Sequence, residues 1–216
     1  MNERLRVRRE EQLRALLELH AARSSAIRSR LEEFSRVSPR DYFYELLYCL
    51  LTPQTSAENA ERVVDQLRKV EFEHRPVDPE PFLRSKTAYI RFHKTKAKHL
   101  LALKENYSTV ISLLSRPQSP TVLRELLIEQ VRGLGFKEAT HFLRNIGRNG
   151  GLAILDRHII RNLKRYGVIQ SFPKTLTRRR YLSIERRFIK FSERLGIPID
   201  ELDLLFWSLE TGEIRK

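Results

Sequence analysis

The stretch VRGLGFKEATHFLRNIG, residues 131–147, sets two glycines one residue apart and places Lys137 two residues after the second. Glycines at that spacing let a chain turn tightly and let its backbone approach a ligand closely. The helix that restarts at Phe136 offers unpaired N–H groups and the positive end of its dipole, an arrangement suited to a phosphate. An amine in its first turn is a candidate nucleophile, because positive surroundings favour the uncharged form that attacks. Four and seven residues on, His141 and Arg144 share the face of Lys137 and are expected to contact phosphate with it. Ala139, Phe142, Leu143 and Ile146 make up the apolar face opposite.

A second chemical element, LDRHIIR at residues 155–161, places Asp156 19 positions after Lys137 (156 − 137). Asp156 reads as the N-cap of the helix that follows. A carboxylate fixed in direction by a cap can also stabilise a cationic sugar in a transition state. Each residue has a plain structural reading when taken alone. Lys137 is one of 41 basic residues, and Asp156 need be no more than a cap.

The formal net charge of the 216-residue chain is +14, which points to a polyanionic partner, nucleic acid being the commonest. Residues 84–99, RSKTAYIRFHKTKAKH, carry six Lys/Arg and no acid, and residues 132–165 carry eight against Glu138 and Asp156. Clustered cations of this kind release counterions from a duplex, but charge alone does not choose between DNA and RNA. The lone cysteine, Cys49, lies in the apolar run YELLYCLL and reads as a core thiol, so no internal disulfide or cysteine-ligated zinc or iron–sulfur site is expected. No apolar stretch approaches the roughly 20 residues of a membrane span. MNERLRVRREEQLR lacks the apolar core of a secretory signal, which points to the cytoplasm.

The elements that must position these residues are helical nearly throughout. Leu16, Leu17, Ile27, Leu31 and Phe34 fall near a 3.6-residue spacing. Ser38 and Pro39 open YFYELLYCLL, and TSAE reads as a capping box of Thr55 and Glu58. VDPEP marks a turn or short helix, and TAYIRFHKTKAKHLLALKENY is helical again. Pro120 opens a helix that runs on to Arg132, and the helix from Phe136 ends at Gly147. Asp156 caps a helix that stops at Gly167, and two more follow at about 177–195 and 200–209. With no hairpin signal or internal repeat, the expected fold class is all-α.

Together, the Gly-x-Gly-x-Lys hairpin and the later Asp before an xHIxR helix resemble the helix-hairpin-helix DNA glycosylases. With YELLYCLLTPQTSAENA, RFHKTKA and ELDLLFWSLETGEIRK added, the chain is similar to the type-2 8-oxoguanine DNA glycosylase/AP lyases over roughly residues 27–216. Residues 1–26 lie outside that likeness and read as a basic helical extension. The resemblance implies a bifunctional repair enzyme, without a cofactor, acting on double-stranded DNA. Lys137 would attack C1′ and form a Schiff base, and β-elimination would cut the strand 3′ to the lesion. Asp156 would stabilise the oxocarbenium-like sugar, and Gly133 and Gly135 would clamp a phosphate. Phe92, Trp207 and Lys216 match positions of the oxidised-guanine pocket, where the two aromatic rings would stack on a flipped base. Gln54 matches a position that contacts or replaces the extruded nucleotide.

The resemblance also implies two helical lobes with the DNA cleft between them, residues 36–149 in one and 1–35 with 150–216 in the other. Lys137 and Asp156 would meet across that cleft, in a monomer. Three other readings stay open on the residues alone. They are a non-catalytic helix-hairpin-helix binding module, a basic RNA-associated protein, and a glycosylase for another lesion such as an oxidised pyrimidine.

Overall fold

Side-chain caps start α-helices at Ser56, Ser119, Asp156 and Thr177 in the computed structural model, which describes residues 3–214. Ser119 Oγ accepts from the Val122 amide at 3.4 Å, and Thr177 Oγ1 accepts from Arg180 at 3.4 Å. Each satisfies a donor that the helix itself leaves open. Among the described residues there are ten α-helices and no strand. They are α1 (Glu3–Ser35), α2 (Tyr42–Leu51), α3 (Ala57–Lys69), α4 (Glu80–Leu83), α5 (His93–Leu114), α6 (Pro120–Gln130), α7 (Phe136–Asn145), α8 (Arg157–Arg165), α9 (Arg178–Leu195) and α10 (Ile199–Thr211). The protein is all-α.

The chain divides into two compact units, Arg36–Gly150 and Met1–Ser35 with Gly151–Lys216. In the unit formed by Arg36–Gly150, α2 is the centre. Its sequence is apolar nearly all round, so every residue from Phe43 to Leu51 is buried. It packs against α3, α5 and α7, and α7 packs on its other side against α6. Glu45 of α2 is buried and accepts from Asn145 Nδ2 at 3.2 Å, so the one acid of this helix is hydrogen-bonded inside the core.

In the other unit, α10 is the central helix, flanked by α1, α8 and α9. Phe206 stacks on Tyr166 with ring centroids 5.4 Å apart and on Phe188 at 5.6 Å. Residues 3–26 are not a free extension, because they form one helix with residues 27–35. Leu16 is buried, His20 Nε2 lies 2.6 Å from Glu201 Oε2, and Arg23 Nη1 donates to Ser208 Oγ at 2.8 Å. These contacts bind the helix to α10.

Three sequence-based boundaries are corrected. The cap of α3 is Ser56, which accepts from Asn59 at 3.2 Å, because Thr55 Oγ1 is taken by Lys96. Helix α5 begins at His93 rather than near Thr87, since Phe92 is left-handed with φ 60° and breaks the periodicity. Helix α6 ends at Gln130, because Val131 is extended and carries the chain into the hairpin turn.

Candidate active site

The α6–α7 hairpin is built around two buried side chains. Arg124 of α6 is 1 % exposed; its guanidinium donates to Thr140 Oγ1 at 3.2 Å and lies over the Phe136 ring, 5.1 Å from its centroid. Thr140 in turn donates to the Phe136 carbonyl at 2.8 Å. The first turn of α7 is thereby fixed to α6. Leu134, buried in the turn, donates its amide to the Val131 carbonyl at 3.1 Å.

The two glycines have different reasons to be there. Gly133 has φ +88°, and a Cβ on it would lie 2.2 Å from His99 Nδ1. Both the backbone and the space therefore require glycine. Gly135 is extended, at φ −104°, and a Cβ there would meet only the carboxylate of Glu138. It is the N-cap of α7 and has no side chain with which to bond the first amides of the helix. The side chain of Lys137 in this turn is 23 % exposed, and its Nζ lies 3.8 Å from Glu138 Oε1.

His141 and Arg144 do not join Lys137 on an open face. Both are buried, at 6 % and 5 % exposure. His141 meets the ring of Tyr48 edge-on at 5.7 Å, and Arg144 donates to Asn145 Oδ1 at 3.3 Å. The expected phosphate contacts of these two side chains are therefore corrected. Helical spacing identified one face rightly, but α2 and α6 cover α7 on both sides, so that face is interior beyond its first turn.

Three exposed positions in the same unit carry left-handed backbone without being glycine, Gln54 at φ 55°, Glu71 at φ 53° and Phe92 at φ 60°. Such conformations are uncommon for these residues and persist where neighbours enforce them. Phe92 is 49 % exposed, with the Arg91 guanidinium 5.0 Å from its ring centroid. A large exposed ring held at a helix start is suited to stacking on a base. Sequence reasoning passed over Lys96, whose buried ammonium bonds the residues on either side of Gln54. Burial, then the neighbouring charge of Lys137, push it down to about 8 from its ordinary 10.5. His99, beneath the hairpin turn, is also lowered, by burial first and then by Arg132 and Lys96.

In the other unit, Asp156 caps α8. Its Oδ1 accepts from the amides of both His158 and Ile159 at 2.8 Å, which leaves Oδ2 outside the cap. The extended residues before it are held by α9. Glu185 accepts from the Ala153 amide at 3.0 Å, and Tyr181 bonds both Ala153 and Leu155. Trp207 of α10 is half-buried and meets the ring of His158 edge-on at 6.1 Å, so it lies one residue contact away from the Asp156 cap. Arg161 and Glu210 pair between α8 and α10, and Asn162 donates to the Phe206 carbonyl at 3.3 Å. These bonds fix Trp207 relative to Asp156. Lys216 lies outside the described residues. Among the described residues no group of three or more His, Cys, Asp or Glu is arranged to hold a metal ion.

Comparison with known proteins follows the same elements. The family described as 8-oxoguanine DNA glycosylase matches residues 27–197. The 8-oxoguanine DNA glycosylase/AP lyase of Fusobacterium nucleatum is 36 % identical over 97 % of this chain and 100 % of its own length. That of Korarchaeum cryptofilum is 38 % identical over 88 % of this chain and 90 % of its own. The crystal structure of the 8-oxoguanine DNA glycosylase of Thermotoga maritima superposes with a TM-score of 0.84 at 33 % identity, covering 96 % of this chain and 100 % of that one. The Methanocaldococcus jannaschii 8-oxoguanine glycosylase/lyase, solved with a 15mer DNA containing 8-oxoguanine, superposes with a TM-score of 0.82 at 32 % identity, covering 94 % of this chain and 100 % of that one. By its helix-hairpin-helix with Lys137, its capped Asp156 and these matches across nearly its whole length, the chain belongs to the 8-oxoguanine DNA glycosylase family.

Proposed function

We propose that this protein removes 8-oxoguanine from double-stranded DNA and nicks the strand at the resulting abasic site, with Lys137 as nucleophile. Lys137 Nζ attacks C1′ of the damaged nucleotide. The N-glycosidic bond breaks, and its electron pair leaves with the base, which takes up a proton. Opening of the sugar ring gives a Schiff base between Lys137 and C1′. Loss of a C2′ proton then expels the 3′ phosphate, which cuts the strand 3′ to the lesion. Water hydrolyses the imine and returns the free lysine.

The carboxylate of Asp156 stabilises the positive charge that develops on the sugar as the base departs. Its cap bonds use Oδ1, so the negative charge is fixed in direction before substrate binds. The first-turn amides of α7 and the Gly133 turn hold a phosphate beside the lesion. Phe92 and Trp207 stack on the flipped base, Lys216 reads its polar edge, and Gln54 fills or contacts the gap it leaves. No cofactor takes part in this scheme. The enzyme acts as a monomer, in the cytoplasm at the nucleoid.

The observation that carries this reading is the placement of Lys137. It is a partly exposed lysine at an uncapped helix start, behind a turn that only glycine can make, in a chain of this family. A panel of duplexes, each with one lesion, tests it. Cleavage at 8-oxoguanine and at an abasic site, with undamaged duplex left intact, is expected. Preference for an oxidised pyrimidine, or binding of structured RNA with no cleavage of damaged DNA, contradicts it.

A further inference from the structure

Three hydrogen bonds converge on one buried ammonium. Lys96 Nζ donates to the Leu51 carbonyl at 2.6 Å, to the Pro53 carbonyl at 2.7 Å and to Thr55 Oγ1 at 3.1 Å. An ammonium has three donors, and all three are used. Leu51 is the last residue of α2, so the charge sits at the negative end of that helix dipole, which offsets part of the desolvation of a lysine only 5 % exposed. The acceptors bracket Gln54, whose φ of 55° the chain would not adopt unaided. The opposite end of Lys96 is equally committed. Its amide donates to the Phe92 carbonyl at 2.9 Å, closing the first turn of α5 on the other left-handed residue of the site.

We propose that Lys96 is a positioning residue that holds the Pro53–Gln54–Thr55 turn so that Gln54 meets the DNA in one fixed orientation, and that it makes no phosphate contact of its own. Its place in the basic run 84–99 suggests a phosphate ligand, yet its donors are saturated by this turn and its head is buried. The nearby charge of Lys137, felt at Lys96, sets the turn in the electrostatic neighbourhood of the nucleophile. A rigid support matters here because a residue that takes the place of an extruded nucleotide must be ordered before the base leaves the stack.

The inference rests on the reading of Gln54 given above, and a double-mutant cycle tests the two separately. Single-turnover excision of 8-oxoguanine is measured for Lys96→Met, Gln54→Ala and Thr55→Val, which removes one acceptor while keeping the shape, and for Gln54→Ala combined with each of the other two. If Lys96 acts through Gln54, each of the first two slows excision by about tenfold and their combination stays near tenfold, because the second change removes nothing further. Thr55→Val is slowed by about two- to threefold and adds nothing to Gln54→Ala. This arm decides the matter if Lys96→Met folds poorly. The salt dependence of DNA binding is unchanged in Lys96→Met, since no phosphate contact is lost. Losses that multiply to about a hundredfold, or a salt slope smaller by about one, overturn the proposal. A Gln54→Ala variant as fast as the wild type removes the role of Gln54, and that of Lys96 with it. A wild-type protein that leaves the lesion intact contradicts the glycosylase reading itself.

Discussion

The Tyr181 hydroxyl donates to the Ala153 carbonyl at 2.7 Å and accepts from the Leu155 amide at 3.2 Å. One phenol thus satisfies two buried backbone groups of the extended segment that delivers Asp156 to its cap. Tyr181→Phe takes this hydroxyl away from both groups and should cost about 1–3 kcal/mol of stability. Thermal denaturation checks this, with Tm expected to fall by roughly 2–4 °C per kcal/mol for a chain of this size. An unchanged Tm would show that the segment is held by packing alone.

Asp156→Asn separates the cap from the charge. Asparagine caps a helix about as well as aspartate, so stability should change by less than about 0.5 kcal/mol. Base excision should nevertheless fall by about a hundredfold or more, because the preorganised negative charge is gone. Near-normal excision by the folded variant reduces Asp156 to a structural cap.

The hairpin glycines should differ in their tolerance of alanine. Gly133→Ala forces a Cβ onto His99 at a φ of +88°, and it should destabilise the protein by more than about 1 kcal/mol and weaken DNA binding. Gly135→Ala needs only the Glu138 side chain to move, and it should be tolerated. Denaturant titration of the two variants distinguishes them, and equal losses would contradict the geometry of the turn.

Lys96 gives the fold a signature at alkaline pH. Burial and the charge of Lys137 lower it from 10.5 to about 8, so between these values the unfolded chain binds more protons than the folded one. Stability should therefore rise with pH from about 8 to about 10, and this rise should vanish in Lys96→Met. Above pH 10 the opposing effect of the buried phenols of Tyr48 and Tyr107 sets in, since burial pushes both upward. A flat profile between pH 8 and 10 in the wild type would mean that the ammonium is better solvated than its burial indicates.

The sequence carried some of these features openly and hid others. Asp156 and Pro120 are legible because caps and first-turn prolines act locally. The one-residue shift from Thr55 to Ser56 was not, since the lysine that claims Thr55 lies 41 residues away. The same distance concealed Lys96, which looks in sequence like any other cation of a basic run. His141 and Arg144 were assigned to the right helical face, but periodicity does not reveal that a helix is covered on two sides. Gln54 and Phe92 were found only by family resemblance. Neither positive φ value is signalled by a local pattern, since neither residue is a glycine.

The central claim is that Lys137 forms the covalent bond to the sugar, and borohydride trapping tests it most directly. Wild-type protein incubated with an 8-oxoguanine duplex and borohydride should yield a stable protein–DNA adduct, because the reductant fixes the Schiff base. Lys137→Gln should give none while keeping DNA affinity within about tenfold, since one of many cations is removed. Trapping by Lys137→Gln at the wild-type level would contradict the account and place the nucleophile elsewhere.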